Sequence, residues 1–186
     1  LIEKGIETVS SEEIADLEGV TSAQVRKDLS FFGTFGKRGL GYNTSDLREQ
    51  IGTILGLKKA WNVALIGVGN IGRALIDYQE FKKQGFFIRA AFDNDESKVN
   101  TEISEINIHH FDNVCSIVAR EKIEIAIIAV PARVAQQVVD QLVDCGVKAF
   151  LNFAPISLKT PVNVLVKNEN MSIELEALSY YLTHHK

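Results

Sequence analysis

Two stretches of this chain carry residue types whose spacing could do chemistry. The first is Gly67-Val68-Gly69-Asn70-Ile71-Gly72, a GxGxxG run that follows the apolar segment VALI and opens a helical pattern through Arg73 to Lys83. In that context each glycine has its own task. Gly67 permits a tight turn, Gly69 lets backbone approach a pyrophosphate, and Gly72 lets helix and strand pack closely. The first helical amides then face the anion. Asp93 comes 21 residues after Gly72, at the end of the next apolar run, FFIRAAFD, with Asp95 two places on. A carboxylate at that point accepts ribose hydroxyls and repels a 2′-phosphate, which favours NAD+ or NADH as the cofactor. Val130-Pro131 and Asn152-Phe153-Ala154-Pro155 fall at the ends of later apolar runs. Ligands lie at such carboxyl ends in open parallel sheets, so these residues could line the nicotinamide half of a cleft. The two prolines serve equally well as strand stops.

The second stretch, LSFFGTFGKRGLGY at 29–42, holds four glycines, the adjacent cations Lys37 and Arg38, and four aromatic rings. It suits a phosphate cradle, a small core or a contact with a polyanion. Charge narrows the choice. Residues 1–19 carry one cation against six acids, whereas residues 20–45 carry Arg26, Lys27, Lys37 and Arg38 against Asp28 alone. The second helix of this region would present Ser22, Gln24, Arg26, Lys27 and Ser30 to a major groove, with Thr21 or Ser22 as its cap. A tight glycine hairpin would bring Lys37 and Arg38 to phosphates or an adjoining minor groove. Phe31, Phe32, Phe35 and Tyr42 read mainly as core.

Both stretches need elements to position them. Ser10 with Glu13 makes a capping box for a helix that Gly19 ends, and Thr21 or Ser22 starts the next, with Val25 and Leu29 facing inward. Residues 47–60 read as a helical connection. From Trp61 short apolar runs alternate with helical stretches, the pattern of a doubly wound parallel sheet covered on both faces. The expected last elements are a strand at 162–167 and a helix from Ser172 whose Ile173, Leu175, Leu178 and Leu182 form an apolar stripe.

The chain's 186 residues suffice for one ordinary domain and a small second one, and 46% apolar content fills a real core. A net charge of −4 argues against a uniformly basic nucleic-acid coat. The longest apolar run, IEIAIIAV at 123–130, has the length of a buried strand and not of a membrane span. Cys115 and Cys145 lie thirty residues apart without a histidine at ligand spacing. They read as small buried thiols of a reducing cytoplasm rather than as a disulfide. His109, His110, His184 and His185 read as surface residues, and no metal cluster or nucleophile motif is evident. Only about twenty residues follow the strand–helix alternation, too few for the substrate domain that a dehydrogenase usually adds. The sequence reads as a non-enzyme, the alternative being an NAD-dependent oxidoreductase with an N-terminal protein-interaction module. A nucleotide domain of the CoA-binding type is a third reading, which Asp93 weighs against.

Over essentially its whole length the sequence resembles the Rex family of redox-sensing transcriptional repressors. The resemblance rests on VTSAQVRKDLSFFGTFGKRGLGY at 20–42, GVGNIGRAL at 67–75, AFDND at 91–95, IIAVPA at 127–132, LNFAP at 151–155 and ELEALSYYL at 174–182. It implies a cytoplasmic homodimer with a winged helix-turn-helix domain at 1–56, a Rossmann NAD(H)-binding domain at 57–168 and an exchanged C-terminal helix at 169–186. Such a protein binds a palindromic double-stranded operator when NAD+ prevails and releases it as NADH rises, controlling genes of fermentative and anaerobic metabolism. By position, Gln24, Arg26 and Lys27 fall in the recognition helix, and Lys37, Arg38 and Tyr42 in or beside the wing. Residues 67–72 and Asp93 fall at the dinucleotide, and Tyr78 near the nicotinamide and the dimer seam. The family's first helix is expected upstream of Leu1. Asn170 and Met171 stand where a well-known relative has an acidic residue and phenylalanine, which speaks against a charge-based latch there.

Overall fold

The computed structural model describes residues 5–36 and 39–184. The expectations for Lys37, Arg38 and His185 fall outside the described residues. The chain divides into two compact units, Leu1–Lys59 and Ala60–Lys186.

The first unit contains β1 (Thr8–Val9), α1 (Ser11–Glu18), α2 (Ser22–Ser30), β2 (Tyr42–Asn43) and α3 (Thr44–Ile54). Local chemistry sets its helix ends. The Ser10 hydroxyl accepts the Glu13 amide at 3.1 Å while the Ser10 amide donates to the Glu13 carboxylate at 2.7 Å, and α1 stops on left-handed Gly19. Thr21, not Ser22, caps α2 by accepting the Gln24 amide at 3.1 Å. Asn43 caps α3 through the Asp46 amide, so this helix starts three residues before the expected Leu47.

β1 and β2 are antiparallel, with Thr8 opposite Asn43 and Val9 opposite Tyr42. The glycine hairpin expected here has its tip, Lys37 and Arg38, outside the described residues, and the β1–β2 pairing brackets both helices. Gly41 is required at its entry: its φ is +73°, and a Cβ there would run into the Val9 carbonyl. Buried Thr44 donates its hydroxyl to the Ile6 carbonyl at 2.6 Å and secures the same junction.

The aromatic expectation needs correction. Phe31 and Phe32 are 73% and 59% exposed, while Phe35 and Tyr42 are half-buried. Among the described residues, the apolar core of this unit amounts to Val9, Ala15 and Val25, too little to enclose two phenylalanines at the end of α2.

The second unit is a seven-stranded sheet in the order β5-β6-β4-β3-β7-β8-β9. Its strands are β3 (Trp61–Ile66), β4 (Phe86–Asp93), β5 (Glu102–Ile103), β6 (Ile106–His110), β7 (Ile125–Ile128), β8 (Ala149–Asn152) and β9 (Leu165–Asn168). All neighbours are parallel except the β5–β6 edge. Order reverses at β3, between β4 and β7, which makes its carboxyl end the switch point of a doubly wound sheet. Ile76, ending α4 (Asn70–Ile76), packs on one face with Val63, Leu65 and Ile108. α6 (Val114–Glu121) and α7 (Ala132–Asp144) cover the other with Val114, Ile117, Val138 and Leu142.

Several sequence expectations shift here. The helix expected to run to Lys83 breaks after Ile76, because Tyr78 takes an extended conformation and α5 (Gln79–Lys83) starts afresh. The last strand begins at Leu165 rather than 162, since a turn closes from the Val164 amide to the Pro161 carbonyl. His109 and His110 are half-buried in β6 rather than on the surface. Cys115 and Cys145 are joined by a disulfide, with Cys115 exposed and Cys145 half-buried. The β7 crossover lays α6 beside α7, and thirty residues of sequence close to a Cα–Cα distance of 4.9 Å. α8 (Met171–His184) has no buried residue, and Asn170 accepts the Ser172 amide at its start.

Asn152, expected in the cofactor site, is fully buried at the end of β8. Its amide nitrogen donates to the Ala154 and Ile156 carbonyls and to the Asn168 side chain, and its carbonyl accepts the Ala154 amide. The side chain thus fastens the 152–156 turn to β9. Replacing Asn152 with alanine strands the buried Ala154 amide and carbonyl and should lower unfolding stability by about 1–3 kcal/mol. Urea denaturation checks this, and an unchanged midpoint would contradict the structural role.

Candidate functional site

The turn after β3 is built by crowding. A Cβ on Gly72 would collide with the Gly67 carbonyl, and one on Gly67, whose φ is +96°, would meet the Ala129 carbonyl and the Val130 side chain. Only glycine lets β3, α4 and the segment after β7 approach so closely. Gly69 differs, because nothing lies within 4 Å of the place its Cβ would occupy. That open space adjoins a cleft of about 580 Å³ at the carboxyl ends of the central strands.

Gly67, Gly69, Asp93, Val130 and Pro131 all line this cleft, so sequence segments far apart meet at the switch point. Val68 is buried beneath it, while Asn70 and Ile71 are exposed on the first turn of α4. Asn152, Pro155, Asp95 and Tyr78 do not line it. Pro155 is exposed on the turn that Asn152 fastens. Tyr78 is 52% exposed, with its ring edge-on to Phe81 at 5.0 Å.

Asp93 is the best-anchored polar group of the cleft. One carboxylate oxygen accepts the Val68 amide at 2.8 Å and the Lys98 ammonium at 3.2 Å; the other accepts the Asp95 amide at 3.0 Å. Burial pushes its carboxyl up, but the amides of Asp95 and Val68, with the Lys98 charge, outweigh burial and hold it below its ordinary value. Burial likewise opposes the charge on Lys98, and Asp93 and Asp95 restore it and raise the ammonium above its usual value. Three of about four acceptor positions on Asp93 are in use. One remains for an incoming hydroxyl, and a second opens when Lys98 moves aside.

Sequence reasoning missed Lys98 and Arg133, the two cations of the lining. Their signals were faint: Lys98 lies five residues beyond Asp93, and Arg133 two beyond Pro131. A cleft with a fixed carboxylate, exposed glycine backbone and two cations fits a diphosphate attached to a ribose. The residues present therefore suit a dinucleotide.

In the first unit, α2 exposes Thr21, Gln24, Arg26, Lys27 and Ser30, while Ser22 is half-buried. These side chains are not equally available. Arg26 donates to buried Ser11 at 2.9 Å and lies 3.6 Å from Glu12, tying α2 to α1. Gln24 donates to Asp28 at 2.6 Å, and Ser30 turns back to the Lys27 carbonyl. Lys27 is the outward cation of this face. Among the described residues, no group of histidine, cysteine and acidic side chains could hold a metal ion, and no helix is long and apolar enough to cross a membrane.

Comparison with known proteins extends this description to the whole chain. Residues 58–156 match the CoA binding domain family, and residues 1–30 match the family described as "Putative DNA-binding protein N-terminus". The chain is 48% identical over 178 residues to the redox-sensing transcriptional repressor Rex of Pelotomaculum thermopropionicum, covering 96% of this chain and 84% of that protein. It is 47% identical over 182 residues to the Rex of Desulforamulus reducens, covering 98% and 87%. Among solved structures it is similar to RSP in complex with NAD+ and operator DNA, with a TM-score of 0.94 at 38% identity over 98% of this chain and 84% of that one. It is also similar to RSP in complex with NADH, with a TM-score of 0.88 at 37% identity over 98% and 85%.

The depressed Asp93 carboxyl has a definite consequence for acid stability. Its contribution is fully present above the unfolded carboxyl value of about 3.9 and is lost as pH falls through the lower folded value. The stability difference between the native chain and Asp93→Asn should be constant from neutral pH to about pH 5 and shrink below pH 4. Denaturation midpoints across that range check it, and a difference that grows on acidification would contradict the assignment.

Proposed function

The chain belongs to the Rex family of redox-sensing transcriptional repressors, and from that premise we propose that it is a dimeric repressor. It holds a palindromic operator through its first unit and releases it when NADH fills the cleft of the second. The observation that carries this reading is Asp93, fixed by the Val68 amide in a cleft whose other wall is the open backbone at Gly69. Asp93 receives the adenosine ribose, the Gly69 backbone admits the pyrophosphate, and Lys98 and Arg133 balance its charge. Val130 and Pro131 border the nicotinamide end. NAD+ and NADH are therefore the cofactors sensed, and catalysis of a substrate is no part of the role.

On the DNA side, Gln24 and Lys27 face the major groove with Thr21, Ser22 and Ser30 flanking them. Arg26 begins from its tie to Ser11, and Lys37, Arg38 and Tyr42 contact the DNA backbone beside that groove. The apolar residues of α8, exposed along the whole helix, supply the segment exchanged between protomers, with Tyr78 at the same seam. A two-fold dimer presents its recognition helices about one DNA turn, ~34 Å, apart. A rotation between protomers destroys that match. Its place of action, where operator DNA and the dinucleotide pool are both present, is the cytoplasm.

NADH can drive release only by binding the arrangement that does not hold DNA more tightly, and reciprocity then requires operator to weaken NADH. The test is to measure NADH affinity with and without a saturating operator duplex selected by the protein from a random pool. Affinity should fall at least about fivefold when DNA is bound. Equal affinities would sink the coupling, and sustained NADH oxidation with small carbonyl substrates would favour an oxidoreductase instead.

A further inference from the structure

The pairing of Cys115 with Cys145 has no part in the proposed function, yet it joins two segments that line the same cleft. Cys115 is the second residue of α6 and is exposed; Cys145 follows the last residue of α7 and is half-buried. Phe111 and Asp112, one turn of chain before Cys115, line the cleft, and so do Val138 and Gln141, about two turns and one turn of α7 before Cys145. The Cys145 amide donates directly to the Gln141 carbonyl at 3.0 Å. The segment enclosed by the bridge, residues 116–144, includes Val130, Pro131 and Arg133, so it closes a loop around the whole β7–α7 wall.

We propose that Cys115 and Cys145 are a second redox site, a reversible thiol–disulfide pair that accepts a hydroperoxide and, once oxidised, tightens NADH binding in the adjoining cleft. Two features make the pair reactive rather than only structural. Cys115 is open to solvent at the positive end of a helix, where a thiolate is stabilised, and Cys145 stands within bonding reach as the resolving thiol. The Cys115 thiolate attacks one peroxide oxygen, the O–O bond breaks, and the departing oxygen is protonated to water. The resulting sulfenic acid is attacked by Cys145, the S–O bond breaks, and a second water leaves with the Cys145 proton. Two thiols and one hydrogen peroxide thus give one disulfide and two waters, with two electrons passing from sulfur to oxygen. Exchange with an external dithiol reverses the step.

The coupling to NADH is entropic. Cross-linking a loop removes conformational freedom before the ligand arrives, so less is lost on binding. This inference rests on the dinucleotide reading of the cleft, and its test keeps the two apart. The full chain is prepared reduced with dithiothreitol and oxidised with hydrogen peroxide. Free thiols are counted and NADH affinity is measured for both forms, alongside Cys115→Ser and Cys145→Ser. Peroxide should remove both thiols within one chain, and dithiothreitol should restore them. NADH should bind the oxidised form about threefold to tenfold more tightly, with no such difference in either serine variant. Thiols that survive peroxide, or a bridge that survives dithiothreitol, would overturn the switch. Equal NADH affinities would overturn the coupling while leaving the cofactor reading intact. Failure of both forms to bind NADH would overturn the coupling and the cofactor reading together, while the thiol count decides the redox pair separately.

Discussion

The hydrogen bond from the Val68 amide to Asp93 is the contact on which the site depends. It joins the turn after β3 to the end of β4, at the point where strand order reverses. Parallel strands alone would bring these ends near each other, but would not orient the carboxylate. Orientation requires the Gly67–Gly72 turn, which exists only because neither residue carries a Cβ to strike the Gly67 or Ala129 carbonyls. Once that turn is set, the Gly67 amide bonds to the Phe92 carbonyl at 2.8 Å and the Ala129 amide to the Ile66 carbonyl at 2.8 Å. The cleft walls are then positioned by backbone, and side chains supply selectivity.

Much of this was legible because it rests on short-range rules. The Ser10–Glu13 box, the Gly19 stop, the GxGxxG turn and the placement of Asp93 each depend on residues a few positions apart or on one strand length. The resemblance to the family added the roles of the two units, which residue spacing alone leaves open between a sensor and an enzyme.

What stayed hidden depends on tertiary packing. Asn152 sits at a strand end where ligands gather, yet its amide is consumed by the turn and by Asn168 on β9. Tyr78 interrupts a helical pattern that is apolar at suitable spacing on both sides. Phe31 and Phe32 look like core residues, but the described part of their unit encloses too little apolar volume for them. Lys98 and Arg133 are ordinary surface cations by sequence and become cleft residues only when β4 and α7 converge. The cysteines meet for the same reason: a crossover, not a motif, sets α6 beside α7.

A redox-sensing repressor must convert occupancy of one unit into a changed grip by the other, so the decisive quantity is DNA release as a function of the cofactor's oxidation state. Anisotropy of a labelled operator bound to the full chain can be followed while the NADH to NAD+ ratio is raised at fixed total dinucleotide. The account predicts that DNA is released as the ratio rises, and that Asp93→Asn shifts the release to higher ratios or abolishes it. Release that ignores the ratio, or that follows total dinucleotide alone, would contradict it.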